Sequence, residues 1–221
     1  MLLHGLGSCA DDLEYQVEFL SQHFRVIAPD LRGHGNSDRP LGNYEISDFC
    51  ADVFGLLDWL GVDKFHLMGH SMGGSIALQM SHEQPERVDR LILCNTQPEY
   101  KPDSLAKLRE LFVRLLAINV LGMRRLSTIM SKRMFPHAHQ DEIRRKVHER
   151  FSRNDTRAYL ASIHAIIGWS SVAFLPHISS PVLIIAGELD YFPLAEKQRF
   201  VDLIPQARME VICNSGHGTP M

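Results

Sequence analysis

Leu67-Met68-Gly69-His70-Ser71-Met72-Gly73-Gly74, LMGHSMGG, is the stretch that decides how this chain folds. It joins an apolar run, DKFHLMG, to a helical pattern, SMGGSIALQMSHEQPE, and places Ser71 in a Gly-x-Ser-x-Gly frame at the junction. A serine on a sharp strand-to-helix turn has strained backbone angles, and neighbours without Cβ let the turn pack tightly. Its hydroxyl is then pushed out above the sheet. Because Ser71 opens a helix, the N–H groups after it lack intrahelical partners, and the Met72 N–H is the expected donor to an oxyanion.

Working outward, MLLHGLGS reads as a short strand and a Gly-rich turn, whose Leu6 N–H is the candidate for a second oxyanion donor. Leu13, Val17 and Leu20 predict an amphipathic helix over Asp11 to His23. FRVIAPD predicts a second strand, closed by the turn-rich DLRGHGNSDRP. Phe49, Val53, Leu56, Leu57 and Leu60 predict a helix from Ile46 to Leu60, with Gly61 as its stop. After the Ser71 turn and its helix, RVDRLILCN is another strand. Near-continuous apolar strands alternating with helices imply a mostly parallel sheet covered on both faces, a doubly wound α/β fold.

The alternation breaks between about Pro98 and Trp169. Helical patterns follow one another there: Leu105, Leu108, Phe112 and Leu115, then Met123 to Met134, Asp141 to Phe151 and Thr156 to Ile167. SPVLIIAGELD, PLAEKQRFVDLIP and ARMEVICNSGH then restore strand, helix and strand. The expected organisation is a core in two parts, 1–98 and 171–221, with a helical cap, 99–170, inserted between them.

A serine hydroxyl is a weak nucleophile and requires a base within hydrogen-bond reach, which in turn requires a group to hold its tautomer. Asp190 follows one restored strand and His217 the next, at the C-terminal ends where open parallel sheets carry their functional groups. Here the sequence resembles the α/β-hydrolase superfamily, in its cap-bearing serine-hydrolase branch. LLHGLG is similar to the oxyanion loop of that family, VIAPDLRGHGNSD to the loop after its next strand, and GHSMGG to its nucleophile elbow. GELD is similar to its acid turn and SGHGTP to its histidine loop. The resemblance covers nearly the whole chain, and the order Ser71, Asp190, His217 matches the order expected for the fold.

The resemblance implies a cofactor-independent serine hydrolase acting on carboxylic esters through an acyl-enzyme, with Ser71, Asp190 and His217 catalytic and Leu6 and Met72 forming the oxyanion hole. The same residues would also serve an enol-lactonase, a thioesterase or a cofactor-free perhydrolase. Ser71 argues against members with a carboxylate nucleophile, and Gly218 with Thr219 after the histidine argues against carbon–carbon bond hydrolysis. A non-catalytic binding module of the same fold is the alternative from another class. The family also has strands before the oxyanion loop and a helix after the histidine. In this sequence the first strand starts at Met1 and only Gly218 to Met221 follow His217, so an unprotected sheet edge is expected. A homodimer covering that edge is among the arrangements the sequence allows.

Other residues have plainer expectations. Glu99, after the strand that precedes the insertion, is a second candidate for the acid. His70 is expected to pack below the elbow, His4 to orient the oxyanion loop, and His34 and Asp30 to shape the neighbouring loop. His137 and His139 lack the partners of a metal site, so none is expected. Arg124, Arg125, Arg144 and Arg145 read as solvated helix faces, and Phe112, Leu116, Met130 and Ile167 as candidates for the substrate pocket.

Composition bounds the rest. In 221 residues that are 45% hydrophobic and 22% charged there is enough apolar material for one sizeable core. A net charge of -3 gives no basic field for nucleic acid. Cys9, Cys50, Cys94 and Cys213 lack paired spacing and read as reduced thiols packed as small hydrophobes. No apolar run reaches the roughly 20 residues of a membrane span, and no signal peptide pattern opens the sequence. A cytoplasmic protein with a small-molecule ester substrate, and with neither cofactor nor metal, is the resulting expectation.

Overall fold

The computed structural model describes residues 1–221 except Asp103, and the backbone alone for Ala106, Lys107, Glu110, Arg114 and Ala117. Five strands form one sheet in sequence order, every neighbouring pair parallel: β1 (Leu2–Leu3), β2 (Phe65–His70), β3 (Val88–Cys94), β4 (Val182–Gly187) and β5 (Ala207–Ile212). Helices α1 (Glu14–Leu20) and α2 (Ile46–Trp59) lie between β1 and β2, and α3 (Met72–Glu83) joins β2 to β3. Three more, α4 (Leu105–Met134), α5 (Asp141–Ser152) and α6 (Thr156–Ile166), separate β3 from β4, and α7 (Leu194–Leu203) joins β4 to β5.

The period of two along each strand explains why both faces are covered. Leu67, Leu91, Leu93 and Ile184 point to one face, where they meet Phe49 and Leu57 of α2, Ile76 of α3 and Phe200 of α7. Met68, Ile92, Cys94 and Ile185 point to the other and pack with Leu13, Val17 and Leu20 from the first helical segment. The inner strands therefore need apolar residues at consecutive positions, which is how FHLMGH and LILC read, whereas the edge strand β5, ARMEVI, alternates and has no buried residue.

Two local expectations are corrected. FRVIAPD is not a strand: β1 is two residues long, so the segment gains one backbone bond to it, from Leu2 N–H to the Ile27 carbonyl at 2.9 Å. The helical patterns on either side of Gly122 are two helices within α4, as expected, because Gly122 adopts φ 72° and ψ 169°, outside helical space, and breaks the run. Cys213 is exposed rather than packed, just beyond the edge strand β5. Among the described residues no helix is long and apolar enough to cross a membrane.

Candidate active site

The turn between β2 and α3 sets the site. Ser71 has φ 52° and ψ -118°, a conformation that costs a residue with a Cβ about 1–3 kcal/mol. The neighbouring glycines make it feasible. A Cβ on Gly69 would lie 2.2 Å from the Gly73 carbonyl oxygen, and one on Gly73 would lie 2.4 Å from that of Leu3. Both contacts are with backbone, so neither residue tolerates a side chain without moving the turn.

Above this turn the structure brings Ser71, His217 and Asp190 into one line. The Ser71 hydroxyl donates to His217 Nε2 at 3.0 Å, and His217 Nδ1–H donates to Asp190 Oδ1 at 2.8 Å. The His217 and Asp190 side chains are buried. Burial works to raise the Asp190 carboxyl, but the hydrogen bond and charge of His217, with those of Lys197, outweigh it and hold the group below its ordinary range. Such a line can draw the proton from the serine while a carboxylate stabilises the imidazolium.

The remaining predicted residues fall as follows. Met72 is the first residue of α3, where the N–H has no intrahelical acceptor. Leu6 lines the same cavity as Ser71 and His217. Its loop is fixed by His4, whose Nδ1–H donates to the Gly5 carbonyl at 2.8 Å while Nε2 accepts from Leu31 N–H at 3.0 Å. Asp30 accepts from the N–H groups of Ala10 and Asn36, both at 2.8 Å, and so ties the turn-rich loop that neighbours the oxyanion loop to the start of the first helical segment. His34 Nδ1–H donates to the Arg32 carbonyl at 2.9 Å. His70 is buried but borders the cavity beside Ser71 rather than lying below the elbow, and it donates from Nε2 to the His217 carbonyl at 2.8 Å. Glu99 lines the cavity, but its carboxylate is engaged by Lys101 at 3.3 Å and the Ser170 hydroxyl at 3.2 Å.

Some expectations for the helical segment change. Met130 and Ile167 line the cavity, whereas Phe112 and Leu116 are 65% and 50% exposed, and Leu111, about 100° around the helix from Phe112, faces inward instead. Arg144 is no solvated helix residue: it donates to the Phe135 carbonyl at 2.7 Å and to that of His137, and so ties the start of α5 to the end of α4. Arg124, Arg125 and Arg145 are exposed. His137 donates from Nε2 to the Asn214 carbonyl at 3.1 Å, and among the described residues no group of three or more potential metal ligands is found.

Two features escaped sequence reasoning. Asn95, at the end of β3 with φ 45°, accepts at Oδ1 from Gly187 N–H (2.8 Å) and Lys197 (3.1 Å), and donates from Nδ2 to the His217 carbonyl (2.9 Å) and Thr219 Oγ1 (2.7 Å). It binds β3, β4, α7 and the histidine loop together. The second is a clasp between α5 and the Leu6 loop. Arg150 donates to Asp12 Oδ1 at 2.7 Å, Asn154 donates to the Gly7 carbonyl at 2.7 Å, and the Phe151 ring occupies the place where a Gly7 Cβ would be. The cavity between the helical segment and the sheet is about 300 Å³ and open on one side. Apolar Leu111, Met130, Val147, Phe151, Ile163 and Ile167 line much of it.

Three of the buried histidines, His4, His34 and His70, make the fold sensitive to acid. Burial lowers His34 and His70 to about 3, aided by the charges of His4 and His217 respectively, and burial also lowers His4. Unfolded, each takes up a proton near pH 6.5. The unfolded state therefore binds more protons, and stability present above pH 6.5 is lost as pH falls towards 3. His34 and His70 are each expected to remove about 2 kcal/mol by pH 5. Thermal melts from pH 7.5 to 5 should show a steadily falling Tm; a constant Tm would show that these rings accept protons in the folded state.

The whole of residues 1–221 matches the family of the alpha/beta hydrolase fold, and the chain belongs to it. It is 29% identical to the RutD protein of Agrobacterium fabrum, which is named for carbamate hydrolysis, over 98% of this chain and 85% of that one. Among solved structures, the enol-lactonase from Burkholderia xenovorans LB400 superposes with a TM-score of 0.90 at 28% identity, over 100% of this chain and 84% of that one. A thermophilic esterase from Thermogutta terrifontis superposes with a TM-score of 0.86 at 29% identity, over 99% and 82%. Proteins of Mycobacterium tuberculosis and Mycobacterium bovis are 40% identical over 93 residues, a match spanning only 27% of their length.

Proposed function

We propose that this protein is a serine hydrolase of carboxylic esters, with Ser71 as nucleophile, His217 as general base and acid, and Asp190 as the group that orients and stabilises the imidazole. The observation that carries this reading is the hydrogen-bonded line from Ser71 through His217 to Asp190, opening on a largely apolar cavity. As Ser71 Oγ bonds the acyl carbon, its proton passes to His217 Nε2. The Leu6 and Met72 N–H groups receive the oxyanion, an interaction for which one donor is worth about 2.7–4 kcal/mol. The tetrahedral centre then expels the alcohol, which takes its proton from the imidazolium. Water, deprotonated by His217, attacks the acyl-enzyme and releases the acid, restoring Ser71.

Residues 99–170 act in this reading as a cap that shields the acyl-enzyme and supplies the apolar wall of the pocket. The Burkholderia enol-lactonase similarity favours one variant, an internal enol ester as substrate, cleaved by the same steps. The test is pre-steady-state hydrolysis of p-nitrophenyl esters of increasing acyl length. A burst of p-nitrophenol with an amplitude near one per chain is expected, and none from Ser71→Ala. Turnover that survives in Ser71→Ala would overturn the reading.

A further inference from the structure

Lys197 sits on the buried side of α7 and is 1% exposed. A buried ammonium is tolerated only when paired and hydrogen-bonded. Its partners are Asp190 Oδ2, in close contact, and Asn95 Oδ1 at 3.1 Å. The two oxygens of the Asp190 carboxylate are thus divided, Oδ1 to the imidazole and Oδ2 to the lysine, with neither side chain open to water. We propose that Lys197 is a positioning residue of this site: it fixes the rotation of the Asp190 carboxylate and offsets part of the charge that the carboxylate presents to His217, which keeps the base free to lower pH.

The argument is electrostatic and rests on the serine-hydrolase reading. A carboxylate stabilises the imidazolium, and a cation on that carboxylate's other oxygen opposes the effect in a site with little water to screen it. Other groups face the site from every side. His70 from β2 lies 5.1 Å from the His217 ring between centroids and is held neutral by burial. Cys94 at the end of β3 and Tyr100 beyond it are both held protonated by burial. Tyr191 stacks on His217 at 4.1 Å with the Arg133 guanidinium 4.6 Å from its own ring, and Glu99 and Glu196 line the cavity. Lys197 is the cation that touches Asp190 directly.

The test is the pH dependence of fluorophosphonate labelling at Ser71, which needs no knowledge of the substrate, with the His217 Nδ1 proton followed by NMR in parallel. Lys197→Met removes charge and hydrogen bond, Lys197→Gln removes the charge but keeps a donor, and Lys197→Arg keeps both. The acid limb is expected to move up by about one pH unit in the Met and Gln variants and to stay in place in the Arg variant. A uniform fall in rate with an unmoved limb would make Lys197 a structural tie and overturn the proposal. So would a Gln and a Met variant that fail to fold while the Arg variant folds. A wild type that never labels defeats the serine-hydrolase reading itself; labelling without a shifted limb defeats only the role of Lys197.

Discussion

Asp190→Asn is expected to lower ester turnover by about 10⁴-fold, the loss measured for the corresponding change in a serine protease. Lys197 supplies the mechanism here. A lysine only donates, so the new amide turns its oxygen toward Lys197 and its NH₂ toward His217. The imidazole must then accept at Nδ1 and carry its proton on Nε2, where it cannot take one from Ser71. The same change leaves a buried ammonium without its carboxylate, a loss of about 3–5 kcal/mol. The buried pair therefore predicts that this substitution destabilises the fold as well as the chemistry. Adding Lys197→Met to Asp190→Asn should recover stability and, because the amide is then free to turn its oxygen toward His217 Nδ1–H, part of the turnover as well. Urea unfolding midpoints and initial rates on the single and double variants check both parts. A folded double variant no more active than Asp190→Asn alone would contradict the tautomer argument.

His217→Ala should have the larger effect, about 10⁶-fold on turnover, as for loss of the base in subtilisin. Ser71 would lose the acceptor 3.0 Å from its hydroxyl. The residual rate would come from the Leu6 and Met72 donors and from binding. This variant also removes a ring packed against Tyr191 and Phe192, so its folding must be verified by near-ultraviolet circular dichroism. A folded His217→Ala variant retaining a hundredth of the wild-type rate would assign the base elsewhere.

Much of this arrangement was legible in the sequence, for identifiable reasons. LMGHSMGG could be placed because a strand period, a turn and a helix period meet within eight residues, and the glycines have backbone neighbours that forbid a side chain. Asp190 and His217 could be placed because each lies in the turn that follows a strand. FRVIAPD was misleading because β-branched content reports a preference for extended backbone but not whether a partner strand is long enough to pair with. Phe112 and Leu116 show the limit of helical periodicity: it groups residues on one face, but the face that meets the cavity is set by packing across the sheet.

Lys197 left a faint signal. It precedes Phe200 by three residues and Ile204 by seven, and so shares the buried stripe of its helix. A lysine at such a position requires a buried anion, and Asp190 stands seven residues before it. Asn95 gave less: an asparagine after an apolar strand marks a turn, but its bonds to the histidine loop span more than 100 residues of sequence, which no local pattern encodes. The clasp from Arg150 and Asn154 to the Leu6 loop is non-local in the same way.

The central claim is that Ser71 is the nucleophile. Intact-mass measurement of the protein after treatment with a fluorophosphonate, followed by peptide mapping, tests it most directly. One adduct per chain, located on Ser71 and absent after prior denaturation, is predicted. An adduct on another residue of the folded protein, or none at all, would contradict it.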